Sequence, residues 1–374
     1  MNFAPRRVFA QMRKELIQVR RDPVGLGLAI VLPLFLMTML GLAISLSVTN
    51  IAVVMQDLDQ TPMSLSLADA FRTSLTVRVV PLPIDQEPEK ALLAGTARGA
   101  IIVPEHFERD VRRGRPVEIQ VLVDATDANT ANVLRGTLSG IVQQWSAQQQ
   151  SRQGTQPPPV GSDIRLWYNP GRKDYFFIGP GAFVVGLALL PPLLASLAMT
   201  KERERGTILQ VYVSGVSAIE FLLGKVLAYC LIAGFDWLLG MAVCYGLFDL
   251  RLQGDPTAFL FGSACFIACV ISFGSMIGAR VADQTSALQA MQFGGFVLTF
   301  LLSGFIFPVA NIPGPLRILS AITPARYFIE IVRDAFLRGG GWPTVWLDIL
   351  PLMALGSFFF IMAWKRLRAM QLDL

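Results

Sequence analysis

Six stretches of this chain run almost without charge for long enough to cross a hydrocarbon core as helices, which takes about 20 residues each. They are residues 24–49, 176–199, 226–248, 256–279, 284–308 and 343–364. Only Asp236 and Asp348 interrupt them. Between the first and second runs the pattern changes to short alternating segments bounded by turn residues. Residues 51–56, 76–80, 99–103 and 117–123 alternate as strands do, and 62–73, 88–97, 104–113 and 129–150 have helical spacing. The expectation is an α-helical polytopic membrane protein, six transmembrane helices with an inserted α/β domain.

Ahead of the first run, residues 3–21 place Phe9, Met12, Leu16 and Val19 on one side of a helix and basic residues elsewhere, a pattern suited to a membrane surface. The run itself is about twice the length of a signal-peptide core and ends without a convincing Ala-x-Ala site, so it reads as an uncleaved anchor. After the α/β segment, residues 148–159, rich in Gln, Ser and Pro, read as a linker, with Trp167 and Tyr168 meeting the membrane interface. The expected boundaries are a surface elbow helix at 1–23, a first span at 24–49, the α/β domain at 50–175 and a five-helix domain at 176–374.

Composition agrees: 53% of the residues are hydrophobic and 16% charged, with a mean hydropathy of +0.51, too apolar for an ordinary soluble chain. The net charge of +5 does not point to nucleic acid, because the basic residues alternate with acids or flank apolar runs. Those flanks set an orientation. Arg6, Arg7, Arg13, Lys14, Arg20 and Arg21 precede the first run. Lys201, Arg203 and Arg205 follow the second, Arg280 the fourth, and Lys365, Arg366 and Arg368 the last. Basic flanks stay in the cytoplasm, which puts both termini inside and residues 50–175 outside. Arg317, Arg326, Arg333 and Arg338 dissent, with Glu330 and Asp334 among them; an odd number of spans would instead expel the C-terminal basic cluster.

Candidate chemistry is sparse. Cys230, Cys244, Cys265 and Cys269 lie in apolar runs without metal-ligand spacing. His106 is the only histidine, so no histidine-based triad or metal site can be assembled, and it reads as a surface or capping residue. There is no GxxxxGK[ST] loop; Gly224-Lys225 lacks both the upstream glycine and the following hydroxyl, so no ATP site of that kind exists in the chain. Asp236, near the middle of its span, costs several kcal/mol unless paired, neutral or hydrated. It reads either as a substrate or proton site or as a packing residue between helices. Gly274 and Gly278 form a small-xxx-small pair that suits packing within one subunit as well as between two.

Two segments stand out. Glu202, Arg203, Glu204, Arg205, Gly206 and Thr207 are followed by a mostly apolar amphipathic stretch to Lys225; a solvated helix end and a ledge that docks a partner are both open readings. On the other side, Ser303-Gly304-Phe305-Ile306-Phe307-Pro308, Pro313 and Pro324 stop the fifth span and start a return helix. There Arg326, Glu330 and Asp334 recur every four residues.

The Glu-Arg-Glu-x-Gly-Thr segment, the Ser-Gly-Phe-x-Phe-Pro turn and the helix from Pro324 through Tyr327 to Arg333 together resemble the permease subunits of type-2 ABC exporters. The likeness covers nearly the whole chain. Val53 to Asp57, Ile102 to Phe107, Asp124 to Asn129, Trp167-Tyr168-Asn169-Pro170 and Pro180-Gly181 resemble the branch with a large outer domain. The resemblance implies a coupling helix at Glu202 to Val213, within a cytoplasmic segment 201–218, that contacts a separate ATPase subunit together with the N-terminal helix. The proline-broken return after the fifth run further suggests an outer gate using Phe305, Phe307, Pro308, Tyr327 and Arg333, beside re-entrant helices at 309–340. The resemblance also implies a second permease, identical or not, and in that branch often a periplasmic adaptor. The implied task is export of drugs or other amphipathic compounds across a bacterial inner membrane, with ATP and Mg bound by the partner and no cofactor in this chain. One departure is Gly215, where a proline is expected. The rivals are a proton-coupled secondary transporter using Asp236, which would need inverted repeats and several broken or charged helices, and a receptor or scaffold, which would need more than short inner loops.

Overall fold

A computed structural model describes residues 3–43, 50–126, 128–152, 175–306 and 309–372. The chain forms two compact units, one from residues 1–45 and 166–374, the other from 46–165. The expected linker beyond residue 152, the Trp167-Tyr168-Asn169-Pro170 return, and Phe307 and Pro308 lie outside the described residues.

The first unit is helical: α1 (Pro5–Arg20), α2 (Pro23–Ala43), then, numbering past the intervening α/β unit, α7 (Tyr175–Glu204), α8 (Thr207–Val213), α9 (Ala218–Gly246), α10 (Pro256–Gly278), α11 (Gln284–Met291), α12 (Leu298–Leu302), α13 (Gly314–Ala321), α14 (Pro324–Arg333) and α15 (Trp342–Leu372). Among the described residues five segments are long and apolar enough to cross a membrane: Phe176–Glu204, Ala218–Gly246, Pro256–Gly278, Gln284–Leu302 and Trp342–Met370. The remaining apolar helix, α2, has 21 residues, with a shorter described apolar stretch at Ile30–Leu42. The protein is thus a mostly helical polytopic membrane protein.

α7 is the central helix, with 72% of its apolar window buried against 22% for α15. Lipid is as apolar as leucine, so helices gain little from hiding hydrophobic surface from one another and hold together by close packing and polar contacts. α10 accordingly rests on α7 through glycine: a β-carbon at Gly274 would stand 2.0 Å from the Pro192 carbonyl oxygen, and one at Gly278 2.3 Å from that of Ser196. Thr200 Oγ1 donates to the Gly278 carbonyl at 3.2 Å across this contact. The pair therefore packs two helices of one subunit. α9 has the inverse pattern of a soluble helix: Tyr229, Ala233, Asp236, Gly240 and Cys244 face inward, while Leu227, Leu231, Phe235 and Leu238 are exposed.

Helix starts are chemically marked. Ser217 and Glu220 form a reciprocal cap on α9, Asp255 caps α10, and Asp283 caps α11. α9 therefore starts at Ala218 rather than at Val226, and Lys225 lies two turns inside a helix instead of closing a surface ledge. The Gln284–Leu302 segment is uneven: between α11 and α12 the chain widens into a π-turn at Gln292–Val297. A second π-turn, Asp334–Arg338, continues α14.

The second unit has a four-stranded sheet ordered β2-β1-β3-β4, formed by β1 (Ile51–Asp57), β2 (Val77–Pro81), β3 (Gly99–Val103) and β4 (Gln120–Val123). β1 runs parallel to β2 and β3, with Val53 opposite Val79 and Gly99, and β4 closes antiparallel to β3. Helices α3 (Pro62–Arg72), α5 (Phe107–Arg112) and α6 (Ala128–Arg152) share a core with Val53, Met55, Ile101 and Val103, and α4 (Pro88–Leu93) lies by Val54 and Ala100 on the other face. α6 approaches β3 closely enough that a β-carbon at Gly99 would meet Leu134 Cδ2 at 2.7 Å. Asp124, just after β4, is held down to about 2 by the Thr126 hydroxyl and N–H, with Arg98 adding to both. His106 precedes α5 in a left-handed conformation, its side chain making no cap.

Candidate functional site

At one end of the helical unit, α1 lies across the start of α9. Its buried face is Val8, Gln11 and Glu15, while Phe3 and Phe9 are more than half exposed. Gly224 permits the approach, since a β-carbon there would stand 2.6 Å from Gln11 Cβ. One residue on, the Lys225 ammonium enters the junction with its side chain 1% exposed. It pairs with Glu15 at 2.9 Å and Glu202 at 3.4 Å, donates to the Ala198 carbonyl at 3.3 Å, and lies 5.3 Å from the Phe221 ring. Lys14 bridges the same two carboxylates from the surface, and Gln11 Nε2 donates to Glu15 at 3.0 Å. Burial opposes the charge on Lys14, but Glu202 and Glu15 outweigh it and hold the ammonium above the usual lysine range. Two cations and two anions thus tie α1, α7 and α9 together.

The arrangement is reinforced around its rim. Arg7 pairs with Glu220 at 3.6 Å and donates to the Gly215 carbonyl at 2.8 Å, and the Ala4 N–H donates to Glu220 at 2.7 Å. Arg203 donates to the Arg280 and Val281 carbonyls, and Gln284 Nε2 to Glu204 at 2.8 Å, tying α7 to the segment between α10 and α11. Leu367 of α15 and Val19 of α1 join one apolar core with Met199 and Phe221. The basic residues at the ends of α7, α10 and α15 are therefore gathered at the end occupied by α1.

The expected coupling stretch is not one helix. Glu202, Arg203 and Glu204 finish α7, Gly206 turns the chain with φ +67, and Thr207 opens the separate α8, its hydroxyl donating to the Glu202 carbonyl at 3.2 Å. The left-handed turn suits a residue without a β-carbon. Gly215, with φ +79, ends the α8 segment in the same way, a conformation closed to proline and a physical reason for the departure noted above. A cleft of about 360 Å³ lies here, lined by Lys14, Lys201, Glu202, Arg205, Gln210 and Ser214 among others. Among these residues only Glu202 opposes three cations.

At the other end, the turn after α12 is locked by α14. Arg333, largely buried, donates through Nη2 to the Gly304 carbonyl at 2.9 Å, and its guanidinium carbon lies 4.3 Å from the centre of the Phe177 ring. Gly304 has φ +90, and Phe305 folds onto α7 where a β-carbon at Gly181 would stand 2.1 Å from its ring. Ser320 Oγ donates to the Leu302 carbonyl at 2.7 Å, and Tyr327 OH to that of Ala321 at 2.8 Å. Phe305 and Arg333 thus belong to one plug, whereas Tyr327 secures the α13–α14 corner. Arg333 and Arg338 share Glu330 at 3.4 and 2.9 Å, which neutralises part of the basic excess in this segment.

Asp236 is 3% exposed, and neither carboxylate oxygen has a hydrogen-bond partner among the described residues. It belongs to neither cluster. From the sequence Lys225 reads only as the end of the ledge and part of a rejected phosphate loop, and Glu15 has no assigned role. Their signal was an acid inside a basic amphipathic helix and a lone lysine within an apolar one.

Residues 24–365 match the family model described as ABC-2 family transporter protein. The chain is 29% identical to the probable multidrug ABC transporter permease YbhS of Escherichia coli K12, over 96% of both proteins. It is 27% identical to the probable multidrug ABC transporter permease YbhR of the same organism, over 93% of this chain and 95% of that one. The inner membrane transport permease YhhJ, also of that organism, is 27% identical over 87% of this chain and 86% of its own.

Proposed function

The chain belongs to the ABC-2 family of transporter proteins and is a multipass transport permease, and on that premise we propose that it couples ATP hydrolysis by a separate subunit to export. In this reading α2 supplies a sixth span, both termini are cytoplasmic, and the α/β unit is extracytoplasmic at a bacterial inner membrane. The gathering of basic flanks at the α1 end supports that orientation, as does the neutralisation of Arg333 and Arg338 by Glu330.

The observation that carries the proposal is the Lys225 junction. A partner pressing on α8 and the Gly206 turn, with Glu202, Arg203, Glu204, Arg205 and Thr207 around it, pushes on residues ionically tied to α1 and α9. Buried charges resist separation, because a bare ion there costs several kcal/mol. Displacement at the turn therefore moves three helices as one body, which is what a lever between ATPase closure and a transport path requires. The cationic cleft suits an acidic patch on the ATPase, which would hold ATP and Mg. At the far end Phe305, Tyr327 and Arg333 belong to the outer gate, to which the sequence reading also assigns Phe307 and Pro308. A second permease, identical or not, completes the path, and a periplasmic adaptor receives the cargo. The names of YbhS and YbhR support drugs or similar amphipathic compounds as cargo.

A second reading, proton-coupled transport, draws on the partnerless carboxylate of Asp236. The coupling proposal is tested by co-expression with an ABC ATPase subunit from the same genome. Native chain is expected to co-purify with that ATPase, and Gly206→Val to insert normally yet lose ATP-driven export. Absence of any associated ATPase, or full export by the variant, would overturn it.

A further inference from the structure

The π-turn in the Gln284–Leu302 segment opens a cavity that the coupling account does not use. It has a volume of about 90 Å³ and lies within one subunit, walled by α7, α10, α15 and the corner between α13 and α14. Gly294 and Gly295 of the π-turn present no side chain to it, and Ala188, Val270, Phe273 and Phe359 supply carbon surface. π-turns are uncommon and concentrate at functional sites; here the extra residue in the turn holds the helix off its neighbours where two glycines remove the bulk that would refill the gap.

The lining decides what can enter. Its side-chain hydroxyls are those of Thr299 and Thr323, and Thr323 is committed to the Leu319 carbonyl at 3.4 Å. A buried water needs two to four polar partners, so the site favours an apolar occupant over water. The volume of about 90 Å³ is smaller than the roughly 150 Å³ of a cavity that admits benzene, which favours a slim chain over a ring. Leu319 and Ile322 also line the cavity and are 39% and 54% exposed, giving it an apolar mouth at the surface of the chain. We infer that this cavity binds the end of a linear hydrocarbon chain, supplied by a membrane lipid or by a free amphiphile. The inference concerns binding and stands whether or not the ATP-coupling proposal does.

The test uses the purified full chain in phosphatidylcholine nanodiscs. In one arm the lipid carries a diazirine at the end of an acyl chain; in the other a single-chain alkyl diazirine amphiphile is added to unmodified lipid. After irradiation, adducts are mapped by peptide mass spectrometry. Adducts are expected on the wall formed by Val270, Phe273 and residues 294–299, and the arm that yields them identifies the source. Gly294→Leu fills the cavity, since a β-carbon there meets only Phe273 Cζ, at 3.8 Å. It is expected to suppress wall adducts while labelling at Phe293, 66% exposed, is unchanged. Phe273→Ala enlarges the site and is expected to admit an aryl diazirine that the native protein excludes. No wall adducts in either arm, equal wall labelling in Gly294→Leu, or no gain in Phe273→Ala would overturn the inference.

Discussion

A single lysine holds together much of the charge cluster at the α1 end. Lys225 neutralises two carboxylates that have little access to water, so its loss leaves Glu15 and Glu202 with the half-exposed Lys14 as their one remaining cation among the described residues. Breaking a buried ion pair from one side costs about 3–5 kcal/mol, whereas replacing the whole set by apolar groups is often neutral. Lys225→Met is therefore expected to lower the thermal midpoint in detergent markedly, and adding Glu15→Met to restore part of it. Thermal unfolding of Lys225→Met, Glu15→Met and the double variant measures this; if the double variant is as unstable as both single losses added together, the pair is not acting as a unit. Asp236 is the opposite case, a buried acid without an ion-pair partner among the described residues, and transport assays on Asp236→Asn separate a working proton or substrate site from a packing residue.

Among the elements, the α7–α10 contact is the least forgiving. Gly274→Leu drives a side chain into the Pro192 carbonyl, 2.0 Å from the β-carbon position. Overpacking typically costs about 1–3 kcal/mol, and a backbone obstacle belongs at the upper end or beyond it. Loss of the monodisperse peak in size-exclusion chromatography is the expected result; a variant as stable as the native chain would show that the helices slide apart easily. Much at this scale was legible in advance. Apolar runs located five spans, and alternation located all four strands, with β2 beginning one residue later than expected, at Val77, and β4 three residues later, at Gln120. Boundaries set by side-chain chemistry were harder. The Ser217–Glu220 cap begins α9 eight residues before its uncharged run, and α15 continues to Leu372 through Lys365, Arg366 and Arg368. Hydropathy alone sees charge where a helix end snorkels or an ion pair is buried. The Gly274 pair was visible, but its partner was not, because a small-xxx-small face does not specify what packs on it. The π-turns gave no periodic signal at all.

For the whole molecule, the central claim is that energy enters at the α1 end from a separate ATPase and leaves as movement of the spans. Family membership establishes a transport permease; the Lys225 junction supplies a physical route for the movement, and the plug of Phe305 and Arg333 a place for it to act. The rival route runs through Asp236 and a proton gradient. The two separate cleanly in proteoliposomes holding this chain, its companion permease where there is one, and the ATPase, loaded with an amphipathic dye. The account predicts dye movement that requires ATP, persists when the proton gradient is collapsed, and disappears in Gly206→Val while the complex remains assembled. Dye movement that continues without ATP, follows an imposed proton gradient and vanishes in Asp236→Asn would contradict it.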